Sequence, residues 1–155
     1  MPIKLVDAEG ITDAASDIVL GTGRVVCFAV PGAFTPTCNT SHLPGFIANA
    51  GKFRAAGVDR IVCVSVNDHH VMKAWAESFD ALGLIDFIAD GNGDLARALG
   101  LEKDTTASNM GWRYRRAALL INNGVVTELL LESAPGLNAT SAPAVLMALE
   151  ATAHV

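Results

Sequence analysis

Two almost wholly apolar runs constrain this chain most: Arg24-Val-Val-Cys-Phe-Ala-Val30 and Asp59-Arg-Ile-Val-Cys-Val-Ser-Val66. A strand with one wet face alternates apolar and polar residues. A strand apolar on both sides must be covered on both, as in a sheet held between helical layers. The segments between and after these runs supply the covering helices. Pro31-Gly-Ala-Phe-Thr-Pro-Thr37 ends the first run as a loop, and a helix is expected to start near Cys38. Pro36 suits its first turn, and Thr35 or Thr37 suits its cap. Its apolar positions continue through Leu43, Phe46, Ile47 and Ala50, with a kink expected at Pro44. Asn67-Asp68 offers a cap for a helix from about His70 to Phe79. Leu84–Ala89 reads as a third strand, followed by the turn Asp90-Gly-Asn-Gly93 and a short helix through Leu99. Arg116–Ile121 and Val125–Leu131 form a hairpin across Asn122-Asn-Gly124, and Ser141–Ala153 is a final helix. This order predicts one α/β domain over residues 1–155, with a mixed central β-sheet flanked by helices.

The composition narrows the function classes. Hydrophobic residues make up 51% of the 155 and charged residues 17%, which excludes a disordered chain. A net charge of -5, with Arg113-Tyr-Arg-Arg116 as the one basic cluster, argues against nucleic-acid binding. No apolar run approaches the roughly 20 residues that span a bilayer. The N-terminus carries no secretory pattern and the C-terminus no lipidation or peroxisomal signal, so a cytoplasmic protein is the expectation. Cys27, Cys38 and Cys63 are an odd number without Cys-x-x-Cys spacing, which speaks against a disulfide framework or a zinc knuckle. Each is therefore core filler or a reactive thiol.

Cys38 has the position of a reactive one. It follows a buried strand and opens a helix, where α/β folds place active groups. A helix N-terminus favours thiolate, and a free cysteine of pKa about 8.5 is otherwise only a few per cent thiolate at neutral pH. By itself this leaves a buried structural cysteine equally open.

The surrounding string carries more. Pro31-Gly-Ala-Phe-Thr-Pro-Thr-Cys38 contains Pro-x-x-x-Thr-x-x-Cys and resembles the peroxidatic motif of peroxiredoxins. Its continuation through Ser41-His-Leu-Pro-Gly-Phe46 resembles the type II, or peroxiredoxin-5-like, branch. Cys63–Asp68, Val71–Trp75, Phe87–Asp90 and Arg115–Leu120 add matches in the right order. The resemblance implies a thioredoxin-like fold and a thiol-dependent peroxidase acting on hydrogen peroxide and alkyl hydroperoxides in antioxidant defence, with no cofactor. It makes Cys38 the nucleophile that becomes a sulfenic acid. Thr35 would bond thiolate and peroxide, and Arg116 would stabilise negative charge on sulfur and leaving oxygen. Pro31 would shield the site. Thr37, His42 and Met110 are expected beside the substrate pocket. Trp112 would help wall it, and Arg113 is the alternative to Arg116 if the alignment slips by a turn. A homodimer is implied, with Phe46 or Trp75 near its contact.

The stretch Gly136–Pro143, where animal members carry a resolving cysteine, has none. Cys63 matches a cysteine assigned that role in plant members, but it lies mid-strand, where inert core is the favoured reading over a resolving thiol. The expectation is a one-cysteine cycle resolved by an external thiol, glutathione with glutaredoxin or thioredoxin. A redox sensor using the same Cys38, or a non-enzymatic binding domain on the same scaffold, are the competing readings. His69-His70 is expected to be solvated and not metal-binding, since adjacent helical side chains point apart. Gly21-Thr-Gly23 precedes its strand and fails the dinucleotide fingerprint. Asp90–Asp94 lacks the terminal glutamate of a calcium loop.

Overall fold

A computed structural model describes residues 1–153; His154 and Val155, the end of the expected 1–155 domain, lie outside the described residues. Both apolar runs form strands at the centre of one sheet. The elements in chain order are β1 (Pro2–Asp7), β2 (Gly10–Ala15), α1 (Ser16–Val19), β3 (Arg24–Ala29), a π-helical turn (Cys38–His42), α2 (Leu43–Ala48) and α3 (Ala50–Ala55). There follow β4 (Arg60–Ser65), α4 (His69–Ser78), β5 (Asp86–Ala89), α5 (Asp94–Leu99), β6 (Glu102–Asp104), β7 (Trp112–Tyr114), β8 (Ala117–Asn122), β9 (Val125–Leu131) and α6 (Ala142–Ala153). Among the described residues the main sheet has the order β2-β1-β5-β4-β3-β8-β9, and β6 and β7 make a separate hairpin. β3, β4 and β5 run parallel, while β1 and β8 flank them antiparallel.

The period-2 alternation of strand side chains divides the interior into two cores. Val26, Phe28 and Cys63 face Leu43 and Phe46 of α2, Phe53 of α3, Trp75 of α4 and Val145 of α6. Val25, Cys27, Ala29, Val62 and Val64 face Val19 of α1, Leu95 of α5 and Tyr114. On the first face Phe28, Phe46 and Phe53 stack in series, with ring centroids 4.0 and 5.3 Å apart. Such pairs contribute about 0.5–1.5 kcal/mol each beyond their buried area. On the second face the buried carboxylate of Asp90 caps α5, accepting from the Leu95 and Ala96 amides, and takes a further bond from the Tyr114 hydroxyl at 2.8 Å.

Several boundaries differ from expectation. The helix after Cys38 is broken: Leu43 N–H bonds the Cys38 carbonyl five residues back, a π-turn, before α2 resumes. Pro44 explains this, because it has no N–H for the carbonyl of Thr40 and its ring would collide there. The expected kink is thus a widened turn. The third strand starts at Asp86 and not Leu84. The β1–β2 hairpin and the β6–β7 pair went unread. The former lies at the sheet edge with partly exposed residues, and the latter has three residues per strand, too few to show a period.

Candidate active site

The first central strand delivers the loop that holds Cys38. Val30 N–H extends the β3–β4 pairing to the Val64 carbonyl, and Asn67 Oδ1 accepts from the Ala33 amide at 3.0 Å and the Ser65 hydroxyl at 2.6 Å. A Cβ at Gly32 would lie 3.0 Å from the Thr35 methyl and 3.2 Å from Arg113 Nη1, so a side chain there would push on both of these neighbours. Met110 Cε closes over the same spot at 3.9 Å. Phe34 adopts φ 61°, which turns the loop and leaves its ring 50% exposed. Helical conformation begins at Pro36, and the Thr35 carbonyl accepts the Asn39 amide at 2.8 Å. The expected hydroxyl cap is absent: Thr37 makes no side-chain cap, and the Thr35 hydroxyl donates to the Gly32 carbonyl at 2.6 Å. That donation places the proton of Thr35 Oγ1 on the loop and not on the cysteine, and leaves the oxygen's lone pairs free. Trp75 Nε1–H donates to Asn39 Oδ1 at 2.9 Å, tying α4 to the π-turn.

Cys38 is 0% exposed. Arg116, just ahead of β8, donates from Nη2 to its sulfur at 3.1 Å and from Nη1 to His42 Nδ1 at 2.7 Å. His42 Nε2 lies 2.8 Å from the Thr140 carbonyl. A carbonyl and a guanidinium fix the tautomer between them: Nε2 carries the proton and Nδ1 accepts. Burial and then the Arg116 charge push the His42 pKa down to about 4, so the ring is neutral and can accept. Arg113, the alternative in sequence, is used elsewhere, bonding the Met110 and Val66 carbonyls at 2.8 and 3.1 Å.

The chain of contacts continues through Thr140. Glu132 accepts from the Asn138, Ala139 and Thr140 amides, each at 2.9 Å, and from the Thr140 hydroxyl at 2.6 Å. Burial alone would raise the Glu132 carboxyl, but these bonds hold it below the ordinary range. Neither Glu132 nor Thr140 is marked by any local pattern in the sequence, and Asn39, Asn67 and Trp75 join the site only through tertiary contacts. The one local signal for His42 is its position one turn beyond Cys38.

Other expectations fare differently. His42 stands behind Arg116 with no exposed surface, as Cys38 itself has none. Pro31 and Arg116 line one cleft, whereas Trp112, 56% exposed, lines a different cavity with Val66 and Asn92. Phe46 and Trp75 are completely buried, which removes both from any subunit contact. Cys63 is 0% exposed on the same face as Cys38; burial first, then the neighbouring Cys27 and Cys38, push its thiol well above the usual range. Cys27 faces the other core, and burial pushes it up to about 12.

Residues 2–146 match the Redoxin family. Peroxiredoxin-2E-2, chloroplastic, from Oryza sativa is 50% identical over 149 residues, 92% of this chain and 64% of that protein. Peroxiredoxin-2B from Arabidopsis thaliana is 43% identical over 148 residues, 95% of this chain and 91% of that one. The chain belongs to the peroxiredoxin family, on its type II branch. Reduced Prx3 from Vibrio vulnificus in complex with hydrogen peroxide has the same fold, with a TM-score of 0.88 and 44% identity over 96% of this chain and 92% of that one. The thioredoxin-like fold with its mixed sheet between helices is thereby shown, and as a peroxiredoxin the chain is a thiol-dependent peroxidase, an oxidoreductase of antioxidant defence. It spans about two thirds of the length of the rice relative. The expectation of a cytoplasmic location is corrected here, since that rice peroxiredoxin is chloroplastic by name. Location depends on a receptor-read address and not on the folded domain, so the domain's own sequence is no evidence for the cytoplasm.

Proposed function

We propose that this peroxiredoxin reduces hydrogen peroxide and alkyl hydroperoxides at Cys38, and that an external thiol recycles it. The observation that carries this reading is the Arg116 guanidinium 3.1 Å from the Cys38 sulfur. A guanidinium at that distance favours negative sulfur and meets the charge that builds on the departing oxygen. The thiolate attacks the terminal peroxide oxygen, the O–O bond breaks, and the alkoxide or hydroxide leaves and takes a proton. Cys38 becomes a sulfenic acid. Thr35 Oγ1, its own proton donated to the Gly32 carbonyl, accepts the peroxide O–H and aims it, while Pro31 and Met110 narrow the approach. Thr37 borders the same first helical turn.

The complete burial of Cys63 in β4 favours a one-cysteine cycle. A disulfide needs the two Cα atoms within about 7 Å and both sulfurs free to turn, and mid-strand Cys63 lacks that freedom. Glutathione with glutaredoxin, or thioredoxin, then supplies the electrons. The exposed ring of Phe34, next to the site, is the feature that fits a homodimer contact. Reduced protein mixed with one equivalent of hydrogen peroxide in stopped flow, followed by intact mass, tests the reading. The wild type gains one oxygen rapidly and Cys38→Ser gains none. Reaction at the rate of an ordinary free thiol would overturn it.

A further inference from the structure

A cleft of about 450 Å³ is lined by Pro31 of the catalytic loop, by Arg116 and by residues 132–136. Hydrogen peroxide, two water-sized oxygens, needs only ~60 Å³. The cleft has the size of a small-molecule site, for which about 300–1,000 Å³ is usual. Lys103 and Arg115 stand at its wall. Both are exposed, and neither makes an ion pair or a side-chain hydrogen bond among the described residues. Arg113 shows the contrast, its Nε and Nη1 donating to two backbone carbonyls. Glu132, the one acid in the lining, is turned into the 138–140 loop by its four hydrogen bonds. Three of the chain's 11 cations thus converge on one cleft of a protein whose net charge is -5.

We propose that Lys103 and Arg115 form a carboxylate-binding subsite that holds a carboxylated small-molecule substrate beside Cys38. The proposal rests on the peroxidase reading of Cys38. The same chemistry has two sources, a hydroperoxide bearing a carboxylate or a thiol bearing one. In the first, the Cys38 thiolate takes the terminal oxygen, the O–O bond breaks and the carboxylated alcohol leaves after gaining a proton. In the second, the thiol sulfur attacks the Cys38 sulfenic acid, an S–S bond forms, the S–O bond breaks and water departs. A second thiol then releases reduced Cys38 and a disulfide.

The test compares the full-length wild type with a Lys103→Gln/Arg115→Gln double variant in single-turnover stopped flow. Oxidation is read with a fatty-acid hydroperoxide against its methyl ester, and reduction of pre-formed sulfenic acid with glutathione against its diethyl ester. Hydrogen peroxide is the common control. The variant is expected to lose about tenfold for the carboxylated member of one pair, two exposed charge contacts of a few-fold each, with the ester unchanged. The affected pair names the source, and 0.5 M salt brings the wild type toward the variant. Carboxylate-to-ester ratios within twofold of wild type in both pairs overturn the subsite. So does a parallel fall with hydrogen peroxide, which would mean that the cations act on Cys38 itself. Failure of the wild type to react rapidly with hydrogen peroxide would instead remove the peroxidase reading.

Discussion

His42→Gln exchanges a titrating ring for an amide that can still accept from Arg116 Nη1 and donate to the Thr140 carbonyl. The wild-type ring has a pKa of about 4 in the folded protein, set by burial and then by Arg116, against roughly 6.5 when unfolded. Above pH 6.5 the ring is neutral in both states, and its titration costs nothing. Between pH 6.5 and 4 the unfolded chain binds a proton that the folded site refuses, so stability falls as pH drops, by up to about 1.4 kcal/mol per unit. Integrated from pH 7 to 5, the loss from this one group is about 2 kcal/mol. Urea unfolding of the reduced protein at both pH values should show the wild type losing about 2 kcal/mol more than His42→Gln, with equal m values. The remaining charged neighbours, Arg116 and Glu132, are common to both proteins and cancel. Equal losses would show that His42 titrates normally and that burial beside Arg116 does not hold the ring neutral.

Arg116→Lys keeps the charge but not the fork that reaches His42 and Cys38 together, so the peroxide half-reaction should slow by ~10² or more in stopped flow, with little change in unfolding midpoint. Cys63→Ala should lose about 1 kcal/mol in denaturant unfolding for its small cavity, yet keep turnover with an external thiol. A normal peroxide burst followed by loss of turnover would instead identify Cys63 as resolving. Glu132→Gln sets an NH₂ group against backbone donors and should loosen residues 138–140, visible as faster amide exchange there. Because the Glu132 carboxyl is held low, its stabilisation is present above the ordinary carboxylate range and fades as pH falls through the lowered value; the variant should lack that fade.

The central strands, the helices α2, α4, α5 and α6, the Asn-Gly hairpin and the peroxidatic string around Cys38 were legible because each is written locally. A run of apolar residues, a cap or a turn residue acts within a few positions of itself. Arg116 was legible through its place ahead of an apolar strand, although nothing local separated its role from that of Arg113. The partners that hold it were not legible. His42 reaches Thr140 across 98 residues, Arg116 reaches Cys38 across 78, and Trp75 reaches Asn39 across 36. The sequence by itself determined which side chains could do thiol chemistry and which strands had to be buried. Only the tertiary structure decided that His42 is a neutral acceptor behind Arg116 and that Lys103 and Arg115 open on a shared cleft. Hydrogen bonds and charges act over a few ångströms of space, and residues far apart in the chain meet at that range only once the sheet has formed.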